Sequence, residues 1–581
     1  MTVTAGRSTV SPPRDSLTMT VGEFLLRRLR EAGVGHAFGV PGDYNLELLQ
    51  QMEDTGALTW VGACNELNAS YAADGYGRLN GLAALIVTNA VGALSAINGV
   101  AGSYSEHVPV ICICGSIPFR SMELGLGMHH TMADGTWDRF LNAYAQVTAA
   151  QARLTADNAV TEIDRLIRTA WHDKLPVYME LPSDLAYLDI EVPAASLVLE
   201  EPPSDPERLR SCAGAIADRL SRAKSPAILA DLDADRYGAA VEVMALAEKM
   251  QMPVAVATTA IAVIDQTFPY YAGIYNGKAS EPSTREAIEA SDCLLSIGYR
   301  PIDLTTGDFT ASLPAGTIHV RGHSVDIGEA NYQAVTLKEV LRGVTTAVPQ
   351  VTNRARRQPA PSAAAAEGHG AGSAKLTQAA YWQAIQGYLR PGDVIIAEDG
   401  TSYAALGLRL PRDCTVVTQV IWGSIGYTVG ALLGTLTAAP DRRHLLFVGD
   451  GSFQLTAQEM STMLRHDYKP VIFLINNGGY TIERCWLGKT SRFNDVANWA
   501  YADLPKVFRP DTTARSFVVK TVADLQNALR APNDTLIFIE SIMDPYDAPV
   551  AVINSGNNGA DIDYGPRGPQ HRDNMLIRPA T

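Results

Sequence analysis

Two short polar motifs, Gly449-Asp450-Gly451 and Asn476-Asn477, follow apolar runs in the segment 444–483. The apolar runs predict parallel strands, and Thr456–His466 between them predicts the connecting helix. Parallel strands end at one edge of a sheet, so we expect Asp450 and Asn477 to lie together. A carboxylate, a side-chain amide and nearby backbone carbonyls form an all-oxygen set, which suits Mg²⁺ or Ca²⁺ better than Zn²⁺.

The same segment could bind a diphosphate. The glycines beside Asp450 and the predicted helix start near Thr456 offer backbone N–H groups to phosphate oxygens, and a diphosphate would complete the shell of a weakly held cation. Each motif alone could be an ordinary turn between a strand and a helix. Their spacing within one strand-helix-strand unit favours a binding site.

Candidate acids and bases also lie elsewhere in the chain. Glu66 follows a predicted strand and opens an Ala-rich helix, where the helix dipole by itself would favour a carboxylate. Asp43 follows the first predicted strand, and His129 and His130 are adjacent. Carboxylates and imidazoles are the natural acids and bases near neutral pH. The histidine pair alone could equally be a surface turn before a helix.

Apolar runs of strand length alternate with segments of helix length along most of the chain. This alternation indicates an α/β fold built from doubly wound parallel sheets. The predicted strands are His36–Val40, Leu82–Thr88, Val108–Cys114, Leu175–Leu181, Ala227–Ala230, Val254–Ala257, Cys293–Ile297 and Thr317–Val320, followed by the strands around Asp450.

Composition shifts along the chain predict three domains. A polar stretch precedes residue 17, a Pro-rich acidic segment follows residue 193, and residues 347–375 are rich in Ala, Pro, Gly and Ser. We therefore expect domains at 17–195, 205–346 and 376–553, with a linker at 347–375 and a polar tail at 554–581.

The overall composition excludes several classes of function. The 47 Lys and Arg against 62 Asp and Glu give a net charge of −15 without a basic stripe, which argues against nucleic acid as a partner. The seven cysteines form no CxxC pair, and no signal peptide is evident, so we expect reduced thiols and a cytoplasmic protein. The two longest uncharged stretches, 81–105 and 414–440, are interrupted by polar residues, which argues against membrane spans.

Gly-Asp-Gly followed after 24 residues by Asn-Asn resembles the thiamine diphosphate fingerprint, and nearly the whole chain is similar to the pyruvate and indolepyruvate decarboxylase family. The resemblance implies an aminopyrimidine-binding, a middle and a diphosphate-binding domain in this order. It also implies thiamine diphosphate held through Mg²⁺, with Asp450, Asn477 and the backbone oxygen of Gly479 as metal ligands.

The resemblance also assigns roles to the candidate acids and bases. Glu66 would form a hydrogen bond with a ring nitrogen of the aminopyrimidine, and Glu483 would lie near the departing carboxylate. Asp43, His129 and His130 would supply the proton that releases the aldehyde. Ile425 would support the bent cofactor. The further cofactor contacts that it implies are Thr401, Ser402, Ser424, Gly449, Gly451, Ser452 and Tyr480.

The expected substrate pocket contains Tyr403, Ile482 and Trp486. Thr401-Ser402-Tyr403 resembles the version found in enzymes for aromatic or branched-chain 2-keto acids, whereas Trp486 departs from the aliphatic residue usual in the family. We therefore expect non-oxidative decarboxylation of such an acid, in preference to pyruvate, to an aldehyde and CO₂.

Three alternatives remain open at this point. The chain could be a carboligase that forms an acyloin from the same intermediate, a non-catalytic scaffold that binds the cofactor, or a flavin-containing synthase. The synthase is disfavoured because the middle domain lacks a GxGxxG turn and the histidine pair is present. The resemblance further implies a homodimer with active sites at the interface, usually doubled to a tetramer.

Overall fold

The computed structural model describes residues 16–352, 374–487 and 489–558. Most of the predicted linker at 347–375 and of the predicted tail at 554–581 lies outside these residues. The described chain divides into two compact units. The first comprises residues 16–73, 82–100 and 109–200, and the second comprises residues 74–81, 101–108 and 201–558.

The N-terminal part of the chain alternates strands and helices as predicted. Its elements are β1 (Ser16–Thr20), α1 (Val21–Glu31), β2 (His36–Gly39), α2 (Leu46–Thr55), β3 (Thr59–Gly62), α3 (Glu66–Asn80), β4 (Ala83–Thr88), α4 (Val91–Ser105), β5 (Val110–Ser116), α5 (Phe119–Glu123), α6 (Arg139–Tyr144), β6 (Ala150–Arg153), α7 (Ala159–Asp173), β7 (Val177–Pro182) and β8 (Asp189–Pro193).

The first unit is built on a parallel sheet with strand order β3-β2-β4-β5-β7-β6. Strands β4, β5 and β7 are buried along their whole length, because helices cover both faces of such a sheet. Their continuous apolar sequences follow from this burial. A separate antiparallel pair joins β1 to β8.

The middle part of the chain belongs to the second unit. Its elements are α8 (Pro206–Arg222), β9 (Pro226–Ala230), α9 (Leu232–Arg236), α10 (Ala240–Met250), β10 (Val254–Val256), β11 (Tyr271–Ile274), α11 (Pro282–Glu289), β12 (Cys293–Ile297), α12 (Asp303–Thr306), β13 (Ile318–Val320), β14 (Ser324–Ile327), β15 (Ala330–Gln333) and α13 (Leu337–Ala347).

The sheet of this middle part has the order β11-β10-β9-β12-β13-β14-β15 and is only partly parallel. Strands β9 to β13 are parallel, and all of them except β11 were predicted, but β14 and β15 run antiparallel. Ile327 pairs with Ala330 across a two-residue turn in which Gly328 has φ +63°, a conformation that glycine adopts without strain. The parallel prediction is therefore corrected at this edge.

The C-terminal part contains α14 (Gln378–Tyr388), β16 (Val394–Ala397), β17 (Thr415–Val417), α15 (Tyr427–Ala438), β18 (His444–Gly449), α16 (Asp450–Thr456), α17 (Met460–Arg465), β19 (Val471–Asn476), α18 (Thr481–Trp486), α19 (Leu504–Phe508), β20 (Arg515–Val519), α20 (Val522–Ala528), β21 (Ile537–Ile542) and α21 (Val550–Asn558). Its parallel sheet has the order β17-β16-β18-β19-β21-β20.

The helix predicted over Thr456–His466 begins earlier in the structure. Helix α16 starts at Asp450 directly after β18, a 3₁₀ turn follows, and α17 ends at Arg465. The prediction was wrong because glycines at 449 and 451 disfavour helix, whereas the Asp450 carboxylate accepts the Gly451 N–H within the first turn. Asp450 therefore lies on the first turn of a helix.

None of the helices in the described ranges has the length and apolar character needed to cross a bilayer. The two uncharged stretches instead contribute helices α4 and α15, and α15 is buried along nearly its whole length. The seven cysteines all lie in the described ranges, and none of them forms a disulfide.

Candidate active site

The predicted site residues fall into two groups, one in each unit. The first unit contains Asp43, Glu66, His129 and His130. All the others lie in the second unit, on the loops and helix starts that follow β16, β17, β18 and β19.

In the first unit the structure brings Asp43 and the two histidines together. His129 Nε2 lies 2.8 Å from Asp43 Oδ2, and His130 Nδ1 lies 3.9 Å from Asp43 Oδ1. The side chains of Asp43 and His129 are 47% and 59% exposed. The cluster is therefore accessible at the surface of the single chain.

Two residues that the sequence did not single out support the histidines. The Tyr44 ring stacks on His129 with ring centroids 5.2 Å apart, and the Tyr44 hydroxyl donates to the His129 carbonyl at 3.2 Å. Asn89 Nδ2 donates to the carbonyl of His130 at 2.8 Å. His130 has φ +56°, a left-handed conformation that is unfavourable for a residue other than glycine, so this outside support stabilises the turn.

Glu66 opens α3 immediately after β3, as predicted, and is half-buried. Its carboxylate lies beside Gly92, where an added Cβ would be 3.1 Å from Glu66 Oε1. Thr88 lies against Gly42 in the same way, with its Cβ 2.6 Å from where a Gly42 Cβ would be. The turn from β4 to α4 thus packs against both the Glu66 carboxylate and the backbone beside Asp43.

In the second unit Asp450 is buried and accepts three backbone N–H groups. Gly451 N donates to Oδ1 at 2.8 Å, and Gly478 N and Gly479 N donate to Oδ2 at 2.7 and 3.1 Å. Burial raises the pKa of Asp450 to about 6, although these hydrogen bonds and the Arg484 charge act in the opposite direction. The turn after β18 and the loop after β19 are therefore joined through one carboxylate.

Asn477 completes a cluster of three oxygen atoms. Its side-chain oxygen lies 2.8 Å from the Gly479 carbonyl oxygen and 3.3 Å from Asp450 Oδ1. Acceptors this close repel one another unless a cation lies among them, and a carboxylate, an amide oxygen and a carbonyl are typical Mg²⁺ ligands. The predicted metal ligands are thus brought together, and the donor set fits Mg²⁺.

Arg484, which sequence reasoning missed, is buried beneath the loop that carries these ligands. Its Nη2 donates to Asp495 Oδ1 at 2.6 Å and lies 3.4 Å from the Gly478 carbonyl. Asn494 accepts the Tyr480 N–H at 2.9 Å. The loop after β19 is thereby tied to the segment around residue 495.

Three thiamine pyrophosphate enzyme profiles match the chain. The N-terminal thiamine pyrophosphate-binding domain matches residues 19–138, the central domain residues 213–347, and the C-terminal thiamine pyrophosphate-binding domain residues 400–540.

Several curated relatives are similar along almost the whole chain. A pyruvate decarboxylase of Aspergillus terreus is 40% identical over 513 residues, which cover 87% of this chain and 90% of that protein. A pyruvate decarboxylase of Aspergillus fumigatus is 39% identical, with coverage of 92% and 95%. Pyruvate decarboxylase isozyme 2 of Saccharomyces cerevisiae is 37% identical, with coverage of 91% and 96%. The chain belongs to the thiamine-diphosphate-dependent 2-keto acid decarboxylase family.

The second unit of this decarboxylase fits the cofactor in two further places. Thr401 and Ser402 are buried at the start of a 3₁₀ helix, and Ser402 Oγ has no hydrogen-bond partner among the described residues, as expected for a ligand contact. Gly451 lies under the Tyr480 ring, where an added Cβ would be 2.4 Å from Cε1. Gly449 and Ser452 flank this close contact at the start of α16.

The loop 423–426 presents Ile425 at the surface. Ile425 is a large apolar residue, yet it is 37% exposed. This exposure fits a side chain that supports a bound cofactor. Glu398, to which the sequence analysis gave no role, anchors the loop next to Ser424. Its Oε2 accepts the Gly426 N–H at 3.1 Å and the Thr428 hydroxyl at 2.6 Å.

Helix α18 carries Glu483 and two of the three predicted pocket residues. Nearby protein atoms partly desolvate the Glu483 carboxyl and raise its pKa, although the residue remains exposed. Ile482 and Trp486 pack with Cys485 against Ala548 and α21. Tyr403 instead packs against the hydrophobic core, and burial raises the pKa of its hydroxyl far above the usual value.

Proposed function

We propose that this enzyme decarboxylates aromatic or branched-chain 2-keto acids in preference to pyruvate, and that Mg²⁺ anchors its thiamine diphosphate. The products are CO₂ and the aldehyde with one carbon less. The proposal rests chiefly on the Asp43, His129 and His130 cluster, because releasing an aldehyde requires a proton donor that a synthase joining two keto acids does not need.

The residues divide the chemistry between them. When bound, thiamine diphosphate accepts the electron pair left behind as CO₂ departs. Glu66 exchanges a proton with the aminopyrimidine, and Asp43 with the histidine pair delivers a proton to the carbon that becomes the aldehyde. Glu483, whose pKa is raised by partial desolvation, would lie beside the departing carboxylate.

The substrate preference is supported by the surroundings of Glu483. Ile482 and Trp486 on the same helix form an apolar cluster with α21, which offers contact area to a large apolar side chain. The relatives named above are pyruvate decarboxylases, so pyruvate is the competing substrate.

The test is a holoenzyme assay with pyruvate, 2-ketoisovalerate, phenylpyruvate and indolepyruvate that records CO₂, aldehyde and acyloin. We expect kcat/KM for at least one larger acid to exceed that for pyruvate by about 10-fold, the scale of a methylene or two of apolar contact. The Glu66→Gln variant is the inactive control. A higher kcat/KM for pyruvate contradicts the preference, and an acyloin as main product makes the chain a carboligase.

We further propose a homodimer, doubled to a tetramer, in which the first unit of one subunit faces the second unit of its partner. Catalysis of this kind needs a site shielded from water, yet Asp43 and His129 are about half exposed in the single chain. Large apolar residues are exposed in both units, which supports a covering partner. They include Leu46, Val91, Leu124 and Met132 in the first unit and Trp422, Leu455 and Phe493 in the second.

A cytoplasmic location is part of the same proposal. None of the seven cysteines, all in the described ranges, forms a disulfide, and five of them are buried, as expected in a reducing compartment.

A further inference from the structure

The Asn477 amide could face the oxygen cluster with either its oxygen or its nitrogen. In the structure the oxygen faces Gly479 and Asp450, and the amide nitrogen lies 2.9 Å from Thr481 Oγ1. If the amide were turned over, its NH₂ group would donate to the Gly479 carbonyl and to Asp450, and it could no longer bind a cation. The metal site therefore needs something that favours the first orientation.

Thr481 supplies that preference through its single hydroxyl hydrogen. The hydroxyl donates to the carbonyl of Pro545, in the loop after β21, at 2.9 Å. With its hydrogen used there, Thr481 Oγ1 can only accept, so the group facing it must be the NH₂ of Asn477. A turned amide would place two acceptors against each other unless Thr481 gave up Pro545.

We propose that Thr481 is a positioning residue, which fixes the Asn477 amide with its oxygen toward the cation. The inference rests on the Mg²⁺ part of the proposed function. The relay runs from the Pro545 carbonyl through the Thr481 hydroxyl to the Asn477 amide, and so makes the loop after β21 a second layer of the metal site.

Burial makes this relay hard to replace. Thr481 is 2% exposed and Asn477 is 4% exposed, so bulk water does not reach either group freely. Without the hydroxyl, the NH₂ group would lose its acceptor in a buried place, which favours turning the amide over. A cation would then have to reverse that turn in order to bind.

The test compares Thr481→Val, which keeps the shape without the hydroxyl, with Thr481→Ser, which keeps the hydroxyl. Thr435→Val is the matched control, because Thr435 is a buried threonine of the same unit whose hydroxyl donates only to the Leu432 carbonyl in α15. Thiamine diphosphate binding to each apoprotein is followed by tryptophan fluorescence and by calorimetry at a series of Mg²⁺ concentrations.

We expect the half-saturating Mg²⁺ concentration to rise about 10-fold to 100-fold in Thr481→Val, the usual effect of removing such a partner. Thr481→Ser and Thr435→Val should match the wild type. Equal Mg²⁺ requirements in Thr481→Val and Thr435→Val overturn the positioning role. Binding that does not depend on Mg²⁺ in the wild type overturns the proposed function instead.

An Asn477→Asp background separates positioning from simple destabilisation. A carboxylate presents oxygen in either orientation, so removing the Thr481 hydroxyl should then change the Mg²⁺ requirement little. A penalty as large as in the wild-type background contradicts the relay. If Thr481→Val does not fold, Thr481→Ala enters the same comparison.

Discussion

Asp231, at the carboxyl end of β9, is a buried acid outside the proposed catalytic groups. Its carboxylate oxygens accept from the Thr259 hydroxyl and from the Arg300 N–H. Burial raises the pKa of Asp231 to about 7, and the nearby Asp233 adds to this effect. At neutral pH its charge therefore affects folding stability.

Because of Asp231, the free energy of unfolding of the protein should fall as the pH rises from about 4 to about 7. An unfolded aspartate loses its proton near about pH 4, whereas the folded group keeps it until about pH 7. Between these two pH values the folded protein keeps the Asp231 proton that the unfolded chain has lost. The stabilisation from this proton is complete below about pH 4 and is lost as the pH rises through 7. The full difference is roughly 4 kcal/mol.

Thermal unfolding of the wild type and of Asp231→Asn at pH 5 and pH 8 measures this difference. The amide does not titrate: its oxygen can accept the Arg300 N–H, and its nitrogen can donate to Thr259 Oγ1. The Tm of the variant relative to the wild type should therefore rise from pH 5 to pH 8. A Tm difference that stays constant with pH would show that Asp231 does not titrate in this range.

At the residue scale, the proximity of Asp450 and Asn477 could be predicted, whereas the contacts that support the proposed site could not. Asp450 and Asn477 follow predictable strands, and parallel strands bring their ends together. Tyr44, Asn89 and Thr481 act through carbonyls or side chains whose positions depend on loop geometry. No spacing in the sequence indicates such contacts.

At the element scale, the turn from β4 to α4 connects the proposed catalytic groups of the first unit. It packs against Gly42 and Glu66, and its Asn89 holds the His130 carbonyl. Residues 88–92 thus contact the segments that carry Asp43, Glu66 and His130. None of the proposed catalytic residues lies in this turn.

Replacing Asn89 by alanine should loosen the His130 turn and lower kcat by about 10-fold, the scale of a small loss of catalytic geometry. KM and thiamine diphosphate affinity should change little, because the cofactor contacts are untouched. Steady-state kinetics with a cofactor titration checks this. Asn158→Ala is the control. The Asn158 side chain, just before α7, also donates to a backbone carbonyl, that of Arg153 at the end of β6. An equal kcat in both variants contradicts the role of Asn89.

Sequence patterns predicted the elements well where burial is uniform. Strands β4, β5 and β19 are continuous apolar runs because helices cover both faces of their sheets. The antiparallel β14 and β15 were missed because their short, half-polar sequences carry no such signal. The early start of α16 was missed because the Asp450 side chain accepts the Gly451 N–H in the first turn, a contact that no sequence pattern indicates.

At the scale of the whole molecule, the division into units crosses two helices. The C-terminal ends of α3 and α4 belong to the second unit, where Tyr427 bonds Asp74 and where a Cβ on Gly75 would lie 2.3 Å from the Ala431 carbonyl oxygen. Composition cannot reveal such a boundary, because both helices continue without a break. The boundaries predicted from composition at 17–195, 205–346 and 376–553 stay predictions.

We propose that the two groups of residues build one decarboxylating site shared by two subunits. Glu66 lies in the first unit and Glu483 in the second. A dimer that contains one Glu66→Gln and one Glu483→Gln subunit would therefore have one fully altered site and one intact site.

The most direct test mixes these two inactive variants, allows subunits to exchange, and measures CO₂ release. We expect recovery of about a quarter of wild-type activity, because half of randomly paired dimers contain both variants and each of these has one intact site of two. No recovery, with exchange verified by differently tagged subunits, would contradict a shared site.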